Sequence, residues 1–286
     1  MKYNLSGKKT IETLLKEAGF TFKKSLGQNF LTDPTVCPRM AEASADQNTG
    51  VLEIGPGIGV LTAELAQVAK RVVAIELDER LRPVLGKTLE DFDNVKVIFG
   101  DAMKLDLKKI IEENFSDCQR VSVCANLPYY ITSPIIMMLL ESKLPVESIT
   151  VMVQKEAAER LCAEIPGRDV GAVTLSASYF ASGSILFNVS RGCFTPVPNV
   201  DSAVIQLKIR KEPPVKLNSE KAFFALVRAA FNHRRKTFIN SVSSSGISGK
   251  AKIEQALSQV GVSATVRAEE LSLEQFAQLT NIIFEK

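Results

Sequence analysis

A single histidine, His233, occurs in 286 residues. That scarcity argues against a His-based metal site and against a Ser-His-Asp triad. The five cysteines, Cys37, Cys118, Cys124, Cys162 and Cys193, make an odd count and contain no CxxC pair. They therefore suit neither a disulfide framework nor a zinc module, and no metal is expected. A reduced, cytoplasmic protein fits this usage. Met1-Lys2-Tyr3-Asn4-Leu5 has no apolar signal core, and no apolar run reaches the roughly 18 residues of a membrane span. An excess of one charge sign is also missing. The net charge is only +3, so the total says little about nucleic acid and the distribution has to carry that question.

What is present is an ordinary globular composition, 45% hydrophobic and 23% charged, in a chain long enough for one large domain or two smaller ones. From residue 50 onward short apolar runs alternate with helical segments. Val51-Ile54, Val72-Ile75, Val95-Ile98, Val121-Ala125 and Ile149-Val153 read as strands. Segments starting at Leu61, Leu81, Leu107, Ser133 and Glu156 read as the intervening helices. Such alternation predicts an α/β fold with a mostly parallel sheet covered on both faces. Ser184-Asn188 and Ala203-Ile209 read as a hairpin-like sheet edge. Upstream, a short amphipathic helix is predicted from Ile11 to Ala18, and a second helix from Asp33-Pro34, with Asp as the cap. Lys211-Glu212-Pro213-Pro214-Val215 breaks the alternation, and the rest is helical. Ser219 serves as one cap there, and Ser272-Leu273-Glu274-Gln275 as a capping box. The expected domains are therefore 1–211, Rossmann-like with an N-terminal extension, and 212–286, all-α.

Chemistry concentrates at the expected strand ends. Glu53-Ile54-Gly55-Pro56-Gly57-Ile58-Gly59 follows the first strand and precedes a helix, where glycines permit a tight turn and close approach to a ligand. Position 60 is Val, so the spacing is not the GxGxxG of dinucleotide enzymes. Glu76 ends the second strand, where a carboxylate can accept two ribose hydroxyls. Asp101 ends the third and can bind an adenine amine. Singly, Glu76 is as well explained by a solvated charge and Asp101 by a helix cap; three successive strand ends form a site of the open parallel-sheet kind. The fourth strand ends in Asn126-Leu127-Pro128-Tyr129-Tyr130-Ile131. An Asn oxygen accepts from an exocyclic amine, Pro stiffens the turn, and Tyr gives a flat face for stacking. These features suit a planar, amine-bearing base.

Glycines of this spacing, with acids after strands two and three, resemble the Rossmann-like S-adenosylmethionine-dependent methyltransferases. Asn-Leu-Pro-Tyr after strand four resembles those that methylate an adenine amine. Four separated segments extend the resemblance over nearly the whole chain. They are Lys24-Ser25-Leu26-Gly27-Gln28-Asn29-Phe30-Leu31, Asn126-Leu127-Pro128-Tyr129, Phe194-Thr195-Pro196-Val197-Pro198-Asn199-Val200-Asp201-Ser202 and Phe231-Asn232-His233-Arg234-Arg235-Lys236-Thr237. In this order they are similar to the KsgA (RsmA) family, the small-subunit ribosomal RNA adenine dimethyltransferases. The resemblance implies dimethylation at N6 of two adjacent adenosines near the 3′ end of 16S rRNA in a 30S precursor. It implies S-adenosylmethionine held by Asn29, Leu31, Gly55, Gly57, Glu76, Asp101 and Asn126. The amine would be gripped by Asn126 and the Leu127 carbonyl, with Tyr129 stacked on the base.

Phe194 reads either as a second stacking group opposite Tyr129 or as a core Phe before a Pro-rich turn. Lys208 to Lys236 holds nine basic residues and only two acids. That run is either a solvated helical face or a phosphate-binding one. The dense Arg234-Arg235-Lys236, together with Lys23 and Lys24, is assigned to RNA. A monomer is expected. The nearest rival is the related Erm-type 23S rRNA enzyme, whose motif is usually Asn-Ile-Pro-Tyr. A non-catalytic RNA-binding assembly factor is the rival of a different class.

Overall fold

The computed structural model describes residues 5–17, 30–233 and 235–285. In chain order the first elements are α1 (Lys8–Glu17), β1 (Phe30–Leu31), α2 (Val36–Ser44), β2 (Thr49–Ile54), α3 (Val60–Val68), β3 (Arg71–Glu76) and α4 (Arg82–Thr88). There follow β4 (Val95–Phe99), α5 (Leu107–Asn114), β5 (Arg120–Asn126), α6 (Thr132–Glu141), β6 (Ser148–Gln154), α7 (Lys155–Leu161) and α8 (Ala172–Phe180). The last are β7 (Ala181–Val189), β8 (Phe194–Thr195), β9 (Ser202–Ile209), α9 (Glu220–Phe231), α10 (Phe238–Ser244), α11 (Lys250–Val260) and α12 (Leu273–Ile283).

The chain divides into two compact units, Met1–Ala158 with Gly183–Ile209, and Glu159–Ser182 with Arg210–Lys286. A seven-stranded sheet, in the order β4-β3-β2-β5-β6-β9-β7, organises the first. Strands β2 to β6 pair in parallel, and β9 runs antiparallel to β6. All six residues of β2 are buried, as expected of a central strand covered by helices on both faces. On one face α2 and α3 bury Met40, Leu61 and Leu65 with Val51 and Val72. A second cluster joins Ile11, Leu14 and Leu15 of α1 to Ile58, Leu81 and Leu85. The chain leaves β2 toward β3 and β4, then returns to place β5 on the other side of β2. This reversal opens a crevice at the C-terminal ends of β2 and β5, where open α/β sheets bind ligands.

The second unit is helical around Phe223, Phe238 and Phe276, each fully buried, with Phe238 set edge-on to Phe276 at 5.8 Å. Ser219 caps α9 and Ser272 with Gln275 forms the capping box of α12, both as the sequence predicts. Gly261 ends α11 in the left-handed conformation.

Three features differ from the sequence reading. Helix α2 starts at Val36 rather than at Asp33-Pro34. Asp33 spends its carboxylate on a local turn, accepting from the Thr35 amide at 2.8 Å and the Thr35 hydroxyl at 2.7 Å. Helix α8 has no counterpart in the predicted elements. Its Leu175 and Tyr179 pack with Phe223, Leu226 and Val227, and this burial groups residues 159–182 with the C-terminal helices. The chain passes between the units at 158/159, 182/183 and 209/210, where the sequence reading expects a single partition at 211/212.

Candidate active site

The crevice is built from the ends of four neighbouring strands. Register brings β2 and β5 together as far as Ile54 and Ala125, so Gly55 and Asn126 emerge side by side. The β2–α3 turn carries Gly55 and Gly57 at φ of 73° and 60°, a left-handed backbone that side chains disfavour. A methyl on Gly55 would meet nothing within 4 Å, so this backbone faces open space.

Glu76 ends β3 and turns back onto that glycine turn. One carboxylate oxygen accepts from the Gly57 amide at 3.0 Å and the other from the Asp78 amide at 2.8 Å. Burial raises its pKa, and the two amide bonds oppose the rise. A carboxylate oxygen accepts more than one hydrogen bond, so both oxygens keep acceptor capacity toward the pocket. Asp78 is held in turn by Arg80, through Nε at 2.8 Å and an ion pair at 2.5 Å. Asp101 follows β4, accepting from the Met103 amide at 3.0 Å and pairing with Lys104 at 3.5 Å.

Asn126 is the last residue of β5, paired in register with Met152. Leu127 is buried, and its amide donates to the Met152 carbonyl at 3.3 Å, which ties the start of the turn to β6. The Pro128 carbonyl accepts from the Ile131 amide at 3.2 Å and closes the turn. The Tyr129 hydroxyl shares a 2.7 Å hydrogen bond with the Ser202 hydroxyl of β9. Burial raises the phenol pKa, so the group stays neutral. Phe194 is both a core residue and part of the pocket wall. It pairs with Leu31 across the short antiparallel β1–β8 ladder.

One cavity is lined by Leu31, Gly55, Gly57, Glu76, Asp101, Asn126, Leu127, Tyr129 and Phe194, nine of the residues singled out in the sequence. Asn29, Lys23, Lys24 and Arg234 lie outside the described residues. Arg235 and Lys236 are exposed in the helical unit and do not line this cavity. The sequence reading missed Phe30, Leu77, Met103 and Glu53 as wall residues. Glu53 carried a signal, a charged residue inside a strand that otherwise reads as buried. It is 1% exposed, and its Oε2 has no hydrogen-bond partner among the described residues. Burial pushes its pKa to about 8, with nearby Glu76 adding to the rise and the Thr62 hydroxyl opposing it. No group of three or more His, Cys, Asp or Glu able to hold a metal occurs among the described residues.

A family model described as ribosomal RNA adenine dimethylase matches residues 19–285. The ribosomal RNA small subunit methyltransferase A of Bacillus pumilus is 47% identical over 274 residues, covering 94% of both chains. That of Anoxybacillus flavithermus is 45% identical over 275 residues, covering 95% of this chain and 93% of the relative. Among solved structures, a dimethyladenosine transferase from Plasmodium falciparum superposes with a TM-score of 0.71 at 26% identity, covering 87% of this chain and 95% of that one. The 23S rRNA methyltransferase ErmE superposes with a TM-score of 0.67 at 26% identity, covering 88% and 98%.

Proposed function

The chain belongs to the ribosomal RNA adenine dimethylase family, and from that premise we propose that it transfers methyl groups from S-adenosylmethionine to N6 of two adjacent adenosines near the 3′ end of 16S rRNA. The observation that carries the reading is the single cavity shared by the glycine turn, Glu76, Asp101 and the Asn126-Leu127-Pro128-Tyr129 turn.

The cavity fits the donor in chemistry. Glu76 offers acceptors for ribose hydroxyls, Asp101 one for an adenine amine, and the open face at Gly55 admits a ligand against the backbone. Leu31, Gly57 and Asn126 complete the assigned contacts within the described residues. When bound, S-adenosylmethionine supplies an electrophilic methyl group on a cationic sulfur. The protein's part is to present the amine. Asn126 Oδ1 and the Leu127 carbonyl accept from its two hydrogens, favouring a pyramidal nitrogen whose lone pair is free of the ring. Tyr129 gives the base a flat face, and Phe194, in the lining of the same cavity, is the second aromatic available to it. Positioning and electrostatics then lower the barrier without a strong general base. The target adenine has to be unpaired or flipped out to enter. A second methylation requires that the grip on the amine tolerate a monomethylated nitrogen.

Identity of 44–47% to relatives named for the small subunit, against 26% to the 23S rRNA enzyme, supports the 30S precursor as substrate. A cytoplasmic monomer acting on assembling particles completes the reading. The test is methyl transfer by purified protein to unmethylated 30S and 50S particles, with mass spectrometry of the rRNA. N6,N6-dimethyladenosine at neighbouring positions of 16S rRNA is expected. Labelling confined to 23S rRNA would transfer the assignment to the Erm-type activity, and donor binding without transfer to either particle would leave a binding factor.

A further inference from the structure

The donor cavity is one-sided in charge. Glu53, Glu76, Asp78 and Asp101 line it, and its described lining residues include no Lys, Arg or His. Two of these acids have basic partners, Asp78 in Arg80 and Asp101 in Lys104. Glu76 is neutralised in part by two backbone amides. Glu53 differs from all three. It is fully buried on the central strand, and its Oε2 has no partner among the described residues. The groups facing it are Glu76 from β3, Cys37 from α2, Cys124 from β5 and the Thr62 hydroxyl from α3. The Cys37 thiol is raised by burial and the Cys124 thiol to about 12, so both are neutral at physiological pH. Among the described residues, none of the groups facing Glu53 from these elements is a cation. A buried carboxyl with carboxylate and thiol neighbours is held as the acid, and placing a cation in the same cavity reverses that balance.

We propose that Glu53 senses the charge on the donor: it remains a carboxylic acid in the free protein and ionises when the cationic donor enters, so that donor binding releases a proton. The inference rests on the donor assignment made above. In this step the Glu53 O–H bond breaks, the electron pair stays on the carboxylate, and the proton passes to water. S-adenosylhomocysteine has a neutral sulfur and does not provide the same compensation. Glu53 therefore favours donor over spent product, and more so as pH rises toward its own pKa of about 8.

Isothermal titration calorimetry of the full chain with S-adenosylmethionine and S-adenosylhomocysteine tests this, in buffers of matched pH but different ionisation enthalpy. Near neutral pH we expect release of about one proton per donor bound and far less per product. The donor Kd should tighten with pH, at most about tenfold per unit, and level off above about 8. Glu53→Gln should abolish both the release and the pH dependence of the donor-to-product affinity ratio. Donor binding without proton release, or equal release in Glu53→Gln, overturns the proposal. If the variant does not fold, an infrared difference spectrum of the wild-type protein decides the matter. Loss of a buried carboxylic acid band on donor binding supports the proposal, and an unchanged band overturns it. Absence of donor binding altogether would instead sink the donor assignment, and this proposal with it.

Discussion

Tyr129 combines two roles that single substitutions separate. Its ring lines the cavity while its hydroxyl is bonded to Ser202, a buried residue of β9. Tyr129→Phe keeps the ring and removes one hydrogen bond, at a cost of about 1 kcal/mol. Methyl transfer in that variant should fall by no more than roughly tenfold. Tyr129→Ala also removes the stacking face, which is worth about 1–3 kcal/mol, and should cost up to a further ~100-fold in single-turnover rate. Equal losses in the two variants would refute a stacking role. Glu53 has a thermodynamic signature even without ligand. Its pKa is 4.5 as an ordinary carboxyl and about 8 here, so between those values the folded chain holds a proton that the unfolded chain has lost. This contribution to stability is complete below about 4.5 and is lost as pH rises through about 8. Glu53→Gln removes that titration. Thermal melts should show the variant gaining on the wild type as pH increases across this window, and a constant difference in Tm would contradict a buried neutral acid.

At the scale of elements, the β2–α3 turn is where backbone shape and ligand chemistry coincide. Gly57 has a φ of 60°, and its amide holds Glu76. Gly57→Ala is sterically tolerable, since the new methyl would sit 3.6 Å from the Phe30 ring. The left-handed backbone still costs roughly 1–2 kcal/mol. The variant is expected to fold with a lower Tm and to bind donor more weakly, because relaxing the turn moves the amide away from Glu76. Unchanged donor affinity by calorimetry would show that the turn does not position Glu76. Much of this architecture was legible in the sequence because a parallel sheet imposes apolar runs, glycine turns and acidic strand ends in fixed order. The β1–β8 ladder was not legible. A strand of two residues has no periodicity, and Leu31 reaches Phe194 only through tertiary folding. Helix α8 escaped for a related reason: its apolar residues match neither a strand run nor a clear stripe, and what fixes them is the aromatic cluster around Phe223. Glu53 was visible as a letter in the glycine motif but not as a buried acid, because burial depends on what α2, α3 and β5 bring against it.

At the scale of the whole molecule, the two units divide the expected work. Every residue lining the cavity proposed for the donor belongs to the sheet unit, and the basic segment after α9 belongs to the helical one. Arg235 and Lys236 lie in the short connection to α10, where the Lys236 amide donates to the His233 carbonyl at 2.9 Å and Thr237 caps the next helix. Both side chains are exposed, and among the described residues neither is engaged in an ion pair. Exposed unpaired cations contribute little to a fold but bind phosphate by releasing counterions. The double variant Arg235→Ala with Lys236→Ala should therefore keep its Tm and its donor affinity while binding 16S rRNA more weakly. Plotted against the logarithm of salt concentration, its RNA affinity should fall less steeply, the slope being reduced by roughly one for each phosphate that is no longer neutralised. Methyl transfer should then decline through the KM for the particle, with kcat largely retained, because the turn proposed to hold the amine is untouched. A loss confined to kcat, or an unchanged salt slope, would show that this segment is a solvated face and that RNA is held elsewhere.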